Sequence, residues 1–267
     1  MNVIVFRQTL LQVRRTLAVL GIGVGAFFYL VLLASSSFLE EAPDIPFFQS
    51  PPKAMTAFLG GSADFFHADG WLSAAMTHPV ILALLTSSAL LVAAGSVATE
   101  IERGTIDFVL VRPVGRVPFL LAKALASIVA VTAAEVGGLA GVLIARRTIG
   151  GVGELSIGSV LRAFTGSWLL FVGVAMVGLL VSARSSLRGR AIGITVGIVV
   201  AWFFLNFIAL LIDAIGGLRY ASPFHYFRPI DLLAGTVPGA DLLILGAVPL
   251  VALLWATAAF TRRDLTR

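Results

Sequence analysis

Glu135 stands well inside a long apolar run, where a carboxylate is the first candidate for chemistry. At 1.5 Å per helical residue it lies roughly 18 Å beyond Lys123, deep in hydrocarbon if that run crosses a bilayer. Ionisable groups at such depth are costly, and they commonly mark a substrate, ion or proton route. The alternative is a structural acid hydrogen-bonded to Ser or Thr on a neighbouring helix. Thr86, Ser87 and Ser88 interrupt a second apolar run, and Phe203, Phe204, Asn206 and Phe207 a third. Either set could line a pathway, an aromatic lining suiting a lipophilic cargo, or could simply pack helices.

No catalytic constellation accompanies them. His67, His78 and His225 all fall outside the apolar runs, so no serine in a run has a histidine base beside it. Metal-assisted cleavage on a helix would need a His-Glu-x-x-His run, and an aspartyl pair would need two facing acids. The chain has no cysteine, which removes thiolate metal sites, disulfides and cysteine nucleophiles. Asp64, His67 and Asp69 follow no established metal-ligand spacing and read as loop residues, so no metal site is assigned. No Gly-x-x-x-x-Gly-Lys-Ser/Thr loop occurs, so nothing here cradles a nucleotide in that way.

A different kind of chemistry, mechanical rather than catalytic, is suggested between Glu100 and Lys123. Gly104 suits a helix stop and Thr105 an N-cap, with Asp107 in the first turn facing the positive helix end. A short helix over 106–111 follows. Arg112 is pushed out of helix by Pro113, and Pro118 suits the first turn of what comes next. Ile106, Val109 and Leu110 make an apolar stripe among Glu100, Glu102, Arg103, Arg112 and Arg116. Such a stripe asks either for a groove on a soluble partner or for a resting place on lipid headgroups.

The elements that must position these residues are membrane helices. The 267 residues are 58% hydrophobic and 12% charged, about half the charge of a soluble domain. The apolar residues run long enough to cross a core of about 30 Å as helices, the only open-chain structure that satisfies its backbone there. Six spans are expected, at 17–38, 80–98, 119–145, 164–182, 191–212 and 242–260, in one permease domain with a cytoplasmic loop over 99–118. Phe6, Leu10, Val13 and Leu17 recur at helical spacing among Arg7, Arg14 and Arg15, which reads as an amphipathic interfacial helix over 1–16. The first apolar run exceeds a signal-peptide core and is kept as a permanent span. With the N-terminus inside, the inner segments hold thirteen of the nineteen basic residues and the outer segments six, which orients both termini to the cytoplasm. The net charge of +5 is thereby explained without nucleic acid. The segment at 39–77, with four prolines and several aromatics, is expected at the outer interface. Gly21/Gly25, Gly137/Gly141, Gly189/Gly193 and Gly193/Gly197 are spaced for close helix approach. Pro249 is expected to bend the sixth span.

The stretch from Glu100 to Lys123 resembles the first cytoplasmic loop of ABC-2 type transporter permeases. The resemblance rests on Glu100 and Glu102, Gly104-Thr105, Pro113-Val114-Gly115-Arg116 and Lys123, and on Tyr220-Ala221-Ser222-Pro223-Phe224-His225-Tyr226-Phe227 before the last span. It implies an all-α, type V exporter-like membrane domain and a partner second permease copy, identical or not. Two ABC ATPase subunits would carry the ATP and magnesium. The segment from Thr105 to Arg112 would be the coupling element, and Glu100 and Glu102 would end the helix that transmits the stroke. The other readings are an ion-coupled carrier or channel using Glu135, and a non-transporting membrane scaffold or sensor.

Overall fold

The computed structural model describes residues 3–41, 51–58, 66–104 and 115–263. The described residues are helical and turn, with no strand among them. The expected short helix over 106–111, with Thr105, Asp107, Arg112 and Pro113, and Asp64 of the outer segment lie outside the described residues.

Helix α1 spans Val3–Glu41 without interruption. Its 39 residues would reach about 58 Å, well beyond a hydrocarbon core of about 30 Å. The expected break between an interfacial helix over 1–16 and a first span is therefore not seen. Phe6, Leu10 and Val13 pack, with Leu91, on a small core of Leu17, Val92, Ala126 and Ala130. The stripe expected on lipid headgroups is thus partly buried against other helices of the same chain, which a helical wheel cannot distinguish from contact with a membrane surface.

The outer segment contributes α2 (Lys53–Phe58) and α3 (Ala68–Thr77). His78 ends α3 and precedes Pro79, where the chain turns by 52° into α4 (Pro79–Ala93). Proline cannot continue α3 but is well suited to open α4. A turn leads to α5 (Ala98–Glu102). The long helices that follow are α6 (Arg116–Thr148), α7 (Ile157–Arg184) and α8 (Arg188–Leu211). After a 3-10 segment at Asp213–Ala221 come α9 (Pro223–Tyr226), α10 (Pro229–Ala234) and α11 (Gly239–Arg262). Among the described residues, five helices are long and apolar enough to cross a membrane, six if α3 and α4 together make one bent span.

Helix α7 is the centre of the bundle. Helices α4, α6, α8, α10 and α11 all pack on it, and 67% of its most apolar stretch is buried, against 22% for α8 and α11. The largest buried side chains include Phe28, Phe119, Phe171 and Phe260. Helices α1 and α6 run parallel and approach backbone to backbone. A side chain at Gly137 would strike the backbone of Gly21, and one at Gly141 the backbone of Gly25. The glycines of α8 are different: nothing lies within 4 Å of a side chain built at Gly189, Gly193 or Gly197. Pro249 sits inside the continuous α11, buried, with its ring against Gly173 of α7.

Candidate functional site: the anchored loop ends

The loop over 105–114 leaves α5 at Gly104 and enters α6 after Gly115. Both flanks are fastened to the bundle by polar contacts to other helices. Gly104 adopts φ +68°, a left-handed value that glycine reaches without steric cost, and so ends α5. At the other end of α5, the buried Ser182 hydroxyl of α7 accepts hydrogen bonds from the Val97 and Ala98 amides, both at 3.1 Å. A short helix has unsatisfied amides at its start, and α7 satisfies two of them from outside.

The acidic pair of α5 then reaches two further helices. Glu102 accepts from the backbone amide of Arg188 at 2.8 Å, which places a negative charge at the positive start of α8. Glu100 lies 3.7 Å from the Lys123 ammonium of α6, whose side chain is only 10% exposed. That ammonium also stands 5.6 Å from the centre of the Phe119 ring. On the far flank of the loop, Arg116 donates to the carbonyls of Phe260, Thr261 and Arg263 at the end of α11, the last at 2.6 Å. Arg263 in turn donates to the Ala183 and Ser185 carbonyls at the end of α7, at 2.8 and 3.0 Å. Cations at helix C-termini satisfy orphan carbonyls and complement the helix dipole. Glu100, Glu102, Lys123 and Arg116 are thus brought to one end of the bundle, while the side chain of Arg103 is exposed. Ser182, Arg188 and Arg263 were not singled out from sequence as partners, because nothing in their local spacing announces a contact across helices.

Residues 12–265 match the family described as ABC-2 family transporter protein. The chain belongs to the ABC-2 transporter family. No curated protein matches it. As an ABC-2 chain with multiple apolar helices it is a multi-pass membrane protein, and membership implies, in general, association with an ABC ATPase.

The second motif of this ABC-2 protein has a clear local cause. Ser222 accepts from the Phe224 amide at 3.2 Å, capping α9, and its hydroxyl donates to the Trp202 carbonyl of α8 at 2.8 Å. Pro223 occupies the first turn, where its missing amide costs nothing. The Ser-Pro-Phe step therefore pins the segment before α11 to α8. His225 lies between Tyr220 and Tyr226, with ring centres 4.8 and 5.1 Å away. Partial burial pushes its imidazole below the usual histidine value, and the Arg219 and Arg228 cations add to this while Asp241 opposes it.

Glu135 is buried on the α6–α7 contact, and Ser167 of α7 donates to one of its carboxylate oxygens at 2.6 Å. The other oxygen, Oε2, has no hydrogen-bond partner. One turn away, Trp168 donates to Thr132 at 2.9 Å.

A groove of about 410 Å³ lies between α4 and α8, walled by Thr86 and Ser87 on one side and by Val200, Phe203 and Phe204 on the other. Ser88 is not part of it, since its hydroxyl is buried and bonded to the Leu85 carbonyl. Asn206 and Phe207 border a much smaller space of about 20 Å³ next to it, closed by Ala57 of α2. The Asn206 carbonyl oxygen is buried there with no hydrogen-bond partner among the described residues. His67 and Asp69 sit at the start of α3, and among the described residues no group of three metal-ligating side chains forms.

Proposed function

We propose that this chain is the membrane-spanning permease subunit of an ATP-binding cassette exporter, driven by a separate ATPase that docks on the segment from Thr105 to Arg112. The observation that supports it most is the fastening of both loop flanks to α6, α7, α8 and α11. A push delivered to an isolated short helix would dissipate in a free linker. Here a displacement of α5 would be felt by α7 through Ser182, by α8 through Glu102 and by α6 through Lys123. Movement of Arg116 would be felt at the ends of α11 and α7.

The groove between α4 and α8 is the pathway this reading favours. Its walls come from α4 and α8, with Phe224 of α9, and α8 is fastened directly to Glu102, so a shift of α5 would alter its width. Phe203 and Phe204 with Thr86 and Ser87 suit an amphiphilic cargo that is mostly apolar. A second permease copy would complete the route, with both termini in the cytoplasm and ATP and magnesium on the ATPase pair. Glu135 is left as a packing residue, because Ser167 answers it from the facing helix.

Reconstitution with the cognate ATPase tests the whole. Asp107→Lys combined with Arg112→Glu should abolish co-purification of the ATPase and nucleotide-dependent flux while the permease still folds. Unchanged association and turnover would remove the docking assignment. Flux through the chain alone, without ATPase or nucleotide, would instead establish the carrier reading through Glu135.

A further inference from the structure

A polar cavity of about 290 Å³ opens beside the anchored loop ends, between α1, α4, α5, α6 and the start of α8. Two other grooves among the described residues are apolar: the one between α4 and α8, and one between α1 and α6 walled by Gly21, Gly25 and Ile22. This one gathers Arg103, Lys123 and Arg188 around a single carboxylate, Glu100, with Gln12 and Thr99 completing the rim. Three cations against one anion leave a formal surplus of two positive charges. Such a surplus around one cavity attracts an anion.

We infer that this cavity is a binding site for a phosphate group, carried either by an anionic phospholipid of the adjoining leaflet or by a soluble phosphate. Three observations carry the inference. The Lys123 ammonium is nearly enclosed, yet its one ion pair among the described residues, to Glu100, is 3.7 Å long. An ammonium has three donors, and one long contact leaves capacity for another acceptor. Neither Arg103 nor Arg188 has an ion-pair partner among the described residues. Gly95 makes the room: a side chain there would stand 3.2 Å from the Thr99 hydroxyl and 3.3 Å from Nε of Arg188. A hydroxyl donor and a guanidinium therefore converge where the backbone offers no bulk. Arginine in particular matches phosphate oxygens with paired donors.

The cavity also has an apolar shoulder, formed by Val13, Leu91 and Val92, that leads into the small core around Leu17. A headgroup phosphate in the cavity would let its chains lie along that shoulder. Occupancy would tie the first turns of α1 to α5, α6 and α8 at the place where the loop enters and leaves. The inference stands apart from the transport reading, since it concerns binding by this chain alone.

The test uses the full chain purified in phosphatidylcholine nanodiscs, with unfolding followed by fluorescence of its four tryptophans. Phosphatidylglycerol is titrated in one arm and inorganic phosphate in the other. The chain should be stabilised saturably by one of them, and phosphatidylcholine alone should give no such response. Arg103→Gln with Arg188→Gln should raise the half-saturating concentration by roughly tenfold or more, the scale of losing charge-assisted hydrogen bonds. Gly95→Val should weaken binding comparably with no change of charge, by filling the space. Saturation by the lipid alone assigns the phosphate to a headgroup, and saturation or competition by inorganic phosphate assigns it to a soluble source. Identical titrations for wild type, the charge variant and Gly95→Val, or no saturable response to either probe, would overturn the site.

Discussion

Among single residues, Ser182 carries more of the loop anchoring than its size suggests. It is fully buried, and one hydroxyl oxygen serves two backbone amides at the start of α5. Ser182→Ala would leave those amides in the protein interior without an acceptor, at a cost of about 1–3 kcal/mol. The expected outcome is a lower unfolding midpoint together with weaker coupling of ATPase turnover to transport; Ser182→Thr, which keeps the hydroxyl, should retain most of both. A midpoint unchanged by the alanine variant would show that α5 is held by other means. Sequence could not have selected this residue. Ser182 is one serine near a helix end, and whether its hydroxyl meets α5 depends on how α7 is rotated and offset, which no local spacing records. Glu100, Glu102 and Lys123 were legible because charges are scarce in this chain and cluster at one loop. The rotation of the helices decided which partner each found, and only Lys123 with Glu100 joined two residues already under suspicion.

At the scale of helices, the four glycine pairs divide into two kinds that the sequence presents as equal. Gly21 and Gly25 of α1 lie against Gly137 and Gly141 of α6, where an added side chain would meet backbone and not a movable side-chain tip. Gly137→Leu should therefore force the pair apart and destabilise by about 1–3 kcal/mol or more. Gly193→Ala and Gly197→Ala in α8 meet nothing and should be neutral, or stabilising by up to about 1 kcal/mol through helix propensity. Thermal unfolding of the isolated chain in detergent measures both. A strong loss at Gly193 with none at Gly137 would mean that the helices are paired differently. The apolar runs themselves were readable because lipid forces each to be a helix of a minimum length. Their ends were less so. The bend at His78 and Pro79 joins α3 to α4, and a residue expected to start a span instead sits within a turn of a 52° corner. The boundary expected near residue 16 is not marked by a break in α1, and its early apolar stripe meets Leu91, Val92 and Ala126, far away in sequence.

For the molecule as a whole, cross-helix contacts sort the helix ends into two groups. Glu102 with Arg188, Arg116 with Arg263, and Arg263 with Ala183 and Ser185 gather one set of ends. Lys53 with Asp213 at 3.2 Å, Arg228 with Asp241 at 2.6 Å, and Arg162 with the Leu232 carbonyl at 3.1 Å gather the other. The excess of basic residues belongs to the first set, so that end should face the cytoplasm. The absence of cysteine makes this directly measurable, since any introduced thiol is the sole target for labelling. Gly189→Cys and Arg262→Cys report the first end; Gly150→Cys and Gly217→Cys report the second, and all four positions are exposed. A membrane-impermeant maleimide applied to intact cells should label Gly150→Cys and Gly217→Cys, and should reach the other two only after permeabilisation. The reverse pattern would keep the bundle and invert its orientation, placing the anchored loop away from any cytoplasmic ATPase. Labelling of Gly150→Cys and Gly217→Cys from opposite sides would be a deeper failure: α7 and α8 would no longer return the chain to the same face, and the path linking the loop to the groove between α4 and α8 would be broken.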